Sequence, residues 1–120
     1  LSVWNRYFEA FKPLAKSGRI EIPTVPKDCV HNAHMFYIKC KDLEERTAFI
    51  SNMKENGILC VFHYIPLHSA PAGRKFGRFA GEDKFTTTES DRLVRLPLWY
   101  GMKEEEVNAV ISAVKEFFGA

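Results

Sequence analysis

Cysteine is scarce in this 120-residue sequence: Cys29, Cys40 and Cys60 are an odd number at wide spacing. That excludes a disulfide framework and fits the reduced thiols of a cytoplasmic protein. There is no apolar run of the roughly 18 residues a membrane helix needs, and the first residues lack the basic, apolar and small-residue order of a secretory signal. A charge excess is also missing. Seventeen basic and fifteen acidic side chains, interleaved, leave a formal +2, so neither nucleic acid nor a membrane surface is an expected partner. Internal repeats and low-complexity tracts are absent. What is present, 46% hydrophobic and 13% aromatic side chains, suits one soluble domain. A chain of this length buries roughly two-thirds of its unfolded surface and needs no staples.

Apolar residues at Leu1, Trp4, Tyr7, Phe8, Phe11, Leu14 and Ala15 recur at helical spacing and predict an amphipathic helix closed by Ser17-Gly18, with Pro13 denying it a donor late in the run. The stripe is already running at Leu1, as though cut from a longer chain. Residues 21–30, with Pro23 and Pro26, read as an extended connector. The run AHMFYIKC from Ala33 predicts a first strand covered on both faces. Asp42 and Glu45 form a capping box for a helix that buries Leu43, Phe49, Ile50 and Met53 and stops at Asn56-Gly57. ILCVF from Ile58 predicts a second buried strand, completing a strand, helix, strand unit. Residues 63–79 are too rich in Pro and Gly for more than a helical turn. Thr86 and Glu89 suggest a second capping box, on a short helix reaching Val94. RLPL from Arg95 predicts a brief strand that Pro97 confines to an edge or an end. Val107, Val110, Ile111, Val114, Phe117 and Phe118 form the buried stripe of a last helix behind Glu104, Glu105 and Glu106. The expected class is α/β (α+β): a small three- to four-stranded sheet with helices packed on it, one face of which needs a partner.

The densest polar signal is FHYIPLH, Phe62 to His68, standing at a strand end where open sheets commonly build sites. An ordinary turn in which His63 and His68 bond only to backbone is an equal alternative. Cys29, His31 and His34 superficially suggest zinc, but no Cys pair and no fourth ligand is near, so no metal is expected. Cys60 and His63 point in different directions from a strand end, which makes Cys60 a packing residue rather than a nucleophile. Arg74, Lys75 and Arg78, beside Phe76 and Phe79, have chemistry suited to phosphate, although a solvated loop accounts for them more simply. Arg95 is either an anion contact or half of a surface ion pair.

Three segments taken together, NAHMFYI (32–38), FHYIPLH (62–68) and ESDRLVRLPLW (89–99), resemble in order and spacing the C-terminal part of the DegT/DnrJ/EryC1/StrS sugar aminotransferases. Within that family the likeness is nearest to the dTDP-4-amino-4,6-dideoxygalactose transaminases, in which HYIPLH precedes a Pro-Ala-Gly stretch such as Pro71 to Gly73 here. The resemblance implies the C-terminal small domain of the aspartate-aminotransferase fold (fold type I) over residues 1–120, with the large pyridoxal-phosphate-binding domain lying outside them. It implies an enzyme that passes an amino group from glutamate to a nucleotide-linked 4-keto-6-deoxy sugar for cell-surface polysaccharide or lipopolysaccharide. That enzyme would be cytoplasmic and homodimeric. The cofactor, pyridoxal phosphate, is carried in such enzymes by a lysine of the large domain, so no catalytic residue is expected here and the isolated segment is expected to be inactive. Carried over residue by residue, His68 is the first candidate to face cofactor and sugar nucleotide, followed by His63 and Tyr64. His34 lies near the domain junction, where a structural role is as good a reading as a contact. The resemblance places neither Arg74 nor Arg95. The rival expectations are a free-standing regulatory or ligand-binding α/β module and, last, a nucleic-acid binder using the RKFGR cluster.

Overall fold

The structure, a computed structural model, describes residues 1–119. Its elements in chain order are α1 (Ser2–Lys16), β1 (Phe36–Lys39), α2 (Leu43–Glu55), β2 (Val61–Phe62), α3 (Pro71–Phe76), α4 (Thr86–Arg92), β3 (Leu93–Leu96) and α5 (Glu104–Phe117). The three strands form one sheet in the order β1-β3-β2, with β3 antiparallel to both neighbours. The expected strand, helix, strand unit therefore exists but is split: β1 and β2 run in the same direction with β3 inserted between them.

Alternation along the strands assigns the two faces. Phe36 and Ile38 of β1 and Val94 and Leu96 of β3 are buried, while Tyr37, Lys39 and Arg95 occupy the opposite face with Val61. The buried face receives α1, whose stripe Trp4, Tyr7, Phe11 and Leu14 closes over Phe36. Two polar tips of that stripe find backbone partners. The Trp4 indole N–H donates to the Met35 carbonyl (3.1 Å) and the Tyr7 hydroxyl to the Pro97 carbonyl (2.8 Å), so the aromatic bulk is buried without stranding a donor. α5 lies alongside α1, and Phe117 and Phe118 pack on Phe49 of α2 (5.3 and 5.5 Å between rings). The connector after α1 runs extended and joins the outer edge of β1 through paired Glu21–Lys39 backbone bonds.

Several expectations are corrected. β3 runs from Leu93 to Leu96, two residues earlier than the expected Arg95 to Leu98. It is central in the sheet, so of the two places Pro97 allowed, an edge or an end, the end is the one observed. Pro97 falls one residue beyond Leu96, so its missing N–H removes no ladder bond, while its carbonyl serves Tyr7. β2 is only two residues long and exposed; of the ILCVF run just Cys60 is buried, and Leu59 is 76% exposed. β2 pairs on one side only, so hydrophobic composition there records surface that lacks a cover. β1 is shorter than the apolar run, because the chain before Phe36 turns through Ala33 at φ +53°. In α2, Leu43 is exposed and Ile50 half-buried; Phe49 and Met53 alone are buried. Asp42 caps the Glu45 amide (2.9 Å), but the Glu45 carboxylate returns to the Lys41 N–H (2.7 Å), one residue earlier than a capping box requires. The second box does not form. Lys39 (2.6 Å) and Arg92 (3.1 Å) draw Glu89 away, and Phe85, not Thr86, stands at the N-cap of α4, where it offers no side-chain cap.

Candidate functional site

Between Val61 and Leu93 no side chain is buried. Tyr64, Ile65, Leu67, Phe76 and Phe85 are 60 to 84% exposed. Local contacts, not a core, shape this stretch. Tyr64 sits at φ +61°, a left-handed backbone that costs a non-glycine residue about 1 kcal/mol, and its carbonyl is held by the Ser90 hydroxyl of α4 (3.1 Å). The Pro66 carbonyl then accepts from the Ser69 and Ala70 amides, turning the chain into α3, which Pro71 opens at a position where no donor is missed. α3 lies so close to this turn that a Cβ on Gly73 would stand 1.5 Å from the Leu67 carbonyl oxygen. Only glycine fits there.

That close approach sets the backbone of His68. Its Nε2 lies 3.0 Å from Asp83 Oδ2 and 3.3 Å from Thr87 Oγ1, and its ring meets Phe79 edge to face at 4.6 Å. The Thr87 hydroxyl also donates to Asp83 Oδ2, and the Thr87 amide to Oδ1 (3.3 Å). Hydrogen bonds from Thr87 first, and the bond from His68 after them, hold the Asp83 carboxyl below its ordinary value. His68 lines a hollow of about 430 Å³ together with Arg78, Phe76 and Phe79. One ring nitrogen, one guanidinium and two aromatic walls can recognise an oxygen-rich ligand.

The other candidates disperse. His63 is exposed and stacks edge to face on Tyr64 (5.3 Å); among the described residues no hydrogen bond or ring contact joins either to His68. His34 is exposed, with its backbone amide on Asn32 Oδ1 (3.0 Å), and lines a separate cleft with Trp4, His31 and Tyr37. His31 is structural: it packs on Trp4 at 4.2 Å and accepts the Ala33 amide. Among the described residues no three His, Cys, Asp or Glu side chains converge to hold a metal. Cys40 and Cys60 are buried, and burial pushes each thiol up to about 12, which removes the thiolate a nucleophile needs. Arg74 is exposed, and Lys75 covers the Phe76 ring. Arg95 lies on the central strand, on the face opposite Val94 and Leu96, and its Nε is buried with no hydrogen-bond partner among the described residues. A larger cavity of about 550 Å³, between Ile58, Leu59, Trp99 and Val110, is apolar and holds none of the candidates.

The sequence pointed to neither Asp83 nor Thr87, and it marked Phe79 and Gly73 only as a neighbour of the basic cluster and as part of the Pro-Ala-Gly stretch, with no role toward His68. Asp83 lies 15 residues from His68 in a stretch with no periodicity, and Gly73 reads as an ordinary loop glycine. The lysines do not suit a pyridoxal Schiff base. None of the ten is buried, and hydrogen bonding to Glu89 raises Lys39, the reverse of the lowering such a lysine requires.

Comparison with known proteins identifies the family. The pattern of the DegT/DnrJ/EryC1/StrS aminotransferase family matches residues 1–115. Protein MJ1066 of Methanocaldococcus jannaschii, itself uncharacterized, is 31% identical over 118 residues, 95% of this chain and 29% of its own length. The dTDP-3-amino-3,6-dideoxy-alpha-D-galactopyranose transaminase of Aneurinibacillus thermoaerophilus is 32% identical over 105 residues, 85% of this chain and 27% of its own. Among solved structures, NtdA of Bacillus subtilis with bound PMP superposes with a TM-score of 0.80 at 24% identity, over 98% of this chain and 27% of that one. The chain thus spans less than a third of the length of these relatives. It belongs to the DegT/DnrJ/EryC1/StrS aminotransferase family, and among the solved structures it resembles, NtdA holds PMP and Spr1654 of Streptococcus pneumoniae is known in a PLP form.

Proposed function

We propose that residues 1–120 are the substrate-side small domain of a pyridoxal-phosphate-dependent sugar aminotransferase, and that the hollow lined by His68 and Arg78 receives the sugar nucleotide. The observation that carries this reading is a paired histidine and a free arginine on a segment with no buried side chain, in a chain of this family. In the proposed enzyme the cofactor acts as the electron sink and is held by residues outside this chain. The residues here orient and enclose. Arg78 pairs with a phosphate oxygen, His68 hydrogen-bonds a polar group of the sugar nucleotide, and His63 and Tyr64 continue the rim. His34, in its own cleft, is the weakest member of the set.

The exposed apolar side chains Ile65, Leu67, Phe76 and Phe85 are, on this reading, surface that the remainder of the homodimeric enzyme covers. Covering them expels water from beside His68 and strengthens its hydrogen bonds. The proposed reaction carries an amino group from glutamate to a nucleotide-linked 4-keto-6-deoxy sugar, in a cytoplasmic route to surface polysaccharide. The 120-residue segment alone is inactive, because no lysine in it suits the cofactor.

In the full-length enzyme, His68→Ala should cost about 1.5 to 3 kcal/mol of transition-state binding, roughly a tenfold to a hundredfold loss in kcat/KM. Unchanged kinetics would return His68 to a structural role. Parallel assays with 4-keto and 3-keto sugar nucleotides test the ring position, since the Aneurinibacillus relative is named for a 3-amino product. Turnover of the 3-keto sugar alone would overturn the 4-keto assignment.

A further inference from the structure

We infer that Asp83 and Thr87 are positioning residues that lock the His68 imidazole with its proton on Nε2, leaving Nδ1 as a lone-pair acceptor for a hydroxyl group of the sugar. This rests on the proposal that His68 faces the sugar nucleotide, and it specifies what His68 recognises there.

Two oxygens surround Nε2: Asp83 Oδ2 at 3.0 Å and Thr87 Oγ1 at 3.3 Å. A carboxylate has no proton to give. Thr87 has one hydroxyl proton, and it points to Asp83 Oδ2. Both neighbours of Nε2 are therefore acceptors, and Nε2 must be the donor. A neutral imidazole with its proton on Nε2 has an acceptor at Nδ1. Nδ1 has no hydrogen-bond partner among the described residues, on a side chain that is 21% exposed and lines the hollow. The group it selects is a hydrogen-bond donor, and of the polar groups on a sugar nucleotide the hydroxyls qualify, while the fully ionised diphosphate does not. Diphosphate oxygens fall to Arg78, the cationic side chain of the same hollow. Turning the ring over would put Cε1 where Nε2 stands and break both contacts, and Phe79 packs edge to face on the present orientation at 4.6 Å.

The holding pair is itself built in. Both Asp83 oxygens accept from Thr87, one from the amide and one from the hydroxyl, so the carboxylate is oriented by α4 before it meets the histidine. Orientation of a functional histidine through its second nitrogen is how carboxylates commonly set tautomer and ring angle, and its loss typically costs on the order of tenfold in activity or more.

The test is a long-range proton–nitrogen correlation spectrum of the full-length enzyme labelled at histidine, followed to alkaline pH where an imidazole carries a single proton, with its signals assigned by their loss in His68→Gln. The expected pattern is a protonated Nε2 with a strongly deshielded Nδ1. Asp83→Ala and Thr87→Val should each blur this into a tautomeric mixture and lower kcat/KM about tenfold, while Thr87→Ser, which keeps the hydroxyl, should retain both the pattern and the activity. A wild-type spectrum with the proton on Nδ1, or averaged between the two nitrogens, overturns the inference even if no variant folds. So does an unchanged spectrum in both Asp83→Ala and Thr87→Val. Loss of activity in His68→Ala with wild-type kinetics in Asp83→Ala defeats the positioning role alone, whereas wild-type kinetics in His68→Ala defeats the sugar-facing reading on which it rests.

Discussion

Gly73→Ala tests how the His68 site is assembled. In an exposed helix this substitution normally stabilises, by about 1 kcal/mol, because alanine is the better helix former. Here the added methyl would meet the Leu67 carbonyl oxygen at 1.5 Å, the Leu67 carbonyl carbon at 2.6 Å and the His68 amide nitrogen at 3.3 Å. All three are backbone atoms, so no side-chain rotation relieves the clash. Opening 1.5 Å to the ~3.3 Å of an ordinary carbon–oxygen contact requires about 1.8 Å of displacement between α3 and the turn at 66–68. Overpacking in a rigid core would cost about 1 to 3 kcal/mol. This segment has no buried side chain to resist movement, so the clash should be relieved by displacement. A shift of that size carries His68 Nε2, now 3.0 Å from Asp83, out of hydrogen-bond range. We predict a change in global stability within about 1 kcal/mol, loss of the His68–Asp83 signature in the imidazole spectrum, and a fall in kcat/KM on the order of a hundredfold in the full-length enzyme. Gly77→Ala is the control: its methyl would stand 3.3 Å from the Gly73 carbonyl, a gap that a few tenths of an ångström relieve. A Gly73→Ala protein with wild-type histidine signals and kinetics would refute the close approach of α3 to the turn.

Acid should loosen the join between connector, β1 and α4. Glu21 is held below its ordinary value chiefly by its hydrogen bond to Arg92, and Glu89 chiefly by its bond to Lys39. The stability these carboxylates contribute is present above about pH 4.3, the ordinary glutamate value, and lost as pH falls through their depressed values. Their exposure limits the effect to about 1 kcal/mol or less. Arg92→Met should flatten the acid limb of the urea midpoint plotted against pH, and an unaltered limb would remove the network from the stability account. The thiols offer a second check. At pH 8 one cysteine, the exposed Cys29, should react quickly with a thiol reagent, while Cys40 and Cys60, buried and pushed up to about 12, should react only on unfolding. Rapid labelling of two or three thiols in the native protein would contradict the packing of both sheet-edge cysteines.

What could be read from the sequence depended on whether the deciding interactions lie close along the chain. α1 and α5 were legible because a buried stripe repeats every three or four residues, and Trp4, Tyr7, Phe11, Val107, Val110 and Val114 do face the core. α2 was legible from Asp42 and Asn56-Gly57, whose hydrogen bonds are local. The exposure of β2 and the central position of β3 were not legible, because a strand's place in a sheet is settled by partners far away. Pro97 marks only where β3 stops, and nothing in RLPL shows that β1 and β2 flank it. The resemblance to known motifs singled out His68 but could not supply Asp83 and Thr87, which reach it across 15 and 19 residues. His63, in the same motif, makes no contact with His68 because the left-handed turn at Tyr64 intervenes between them.

The energetics of the core and of the site are consequently separable. The aromatic contacts of Phe36, Phe11 and Phe49 bind the helices to one sheet face, and none of the residues that orient His68 takes part in them. Gly73, Phe79, Asp83 and Thr87 lie within the 61–93 stretch, whose apolar side chains are largely in solvent. A segment of that kind has a local opening free energy far below that of the whole domain. Its geometry is therefore set by a few specific contacts and is sensitive to whatever covers it. Burial of Ile65, Leu67, Phe76 and Phe85 by the remainder of an enzyme, or by bound substrate, would add apolar stabilisation to the conformation in which His68 is already paired. If His68 faces the ligand as proposed, ordering the loop and organising its imidazole become one equilibrium, and substitutions that disturb the Asp83–Thr87–His68 pairing should weaken ligand binding before they weaken the fold.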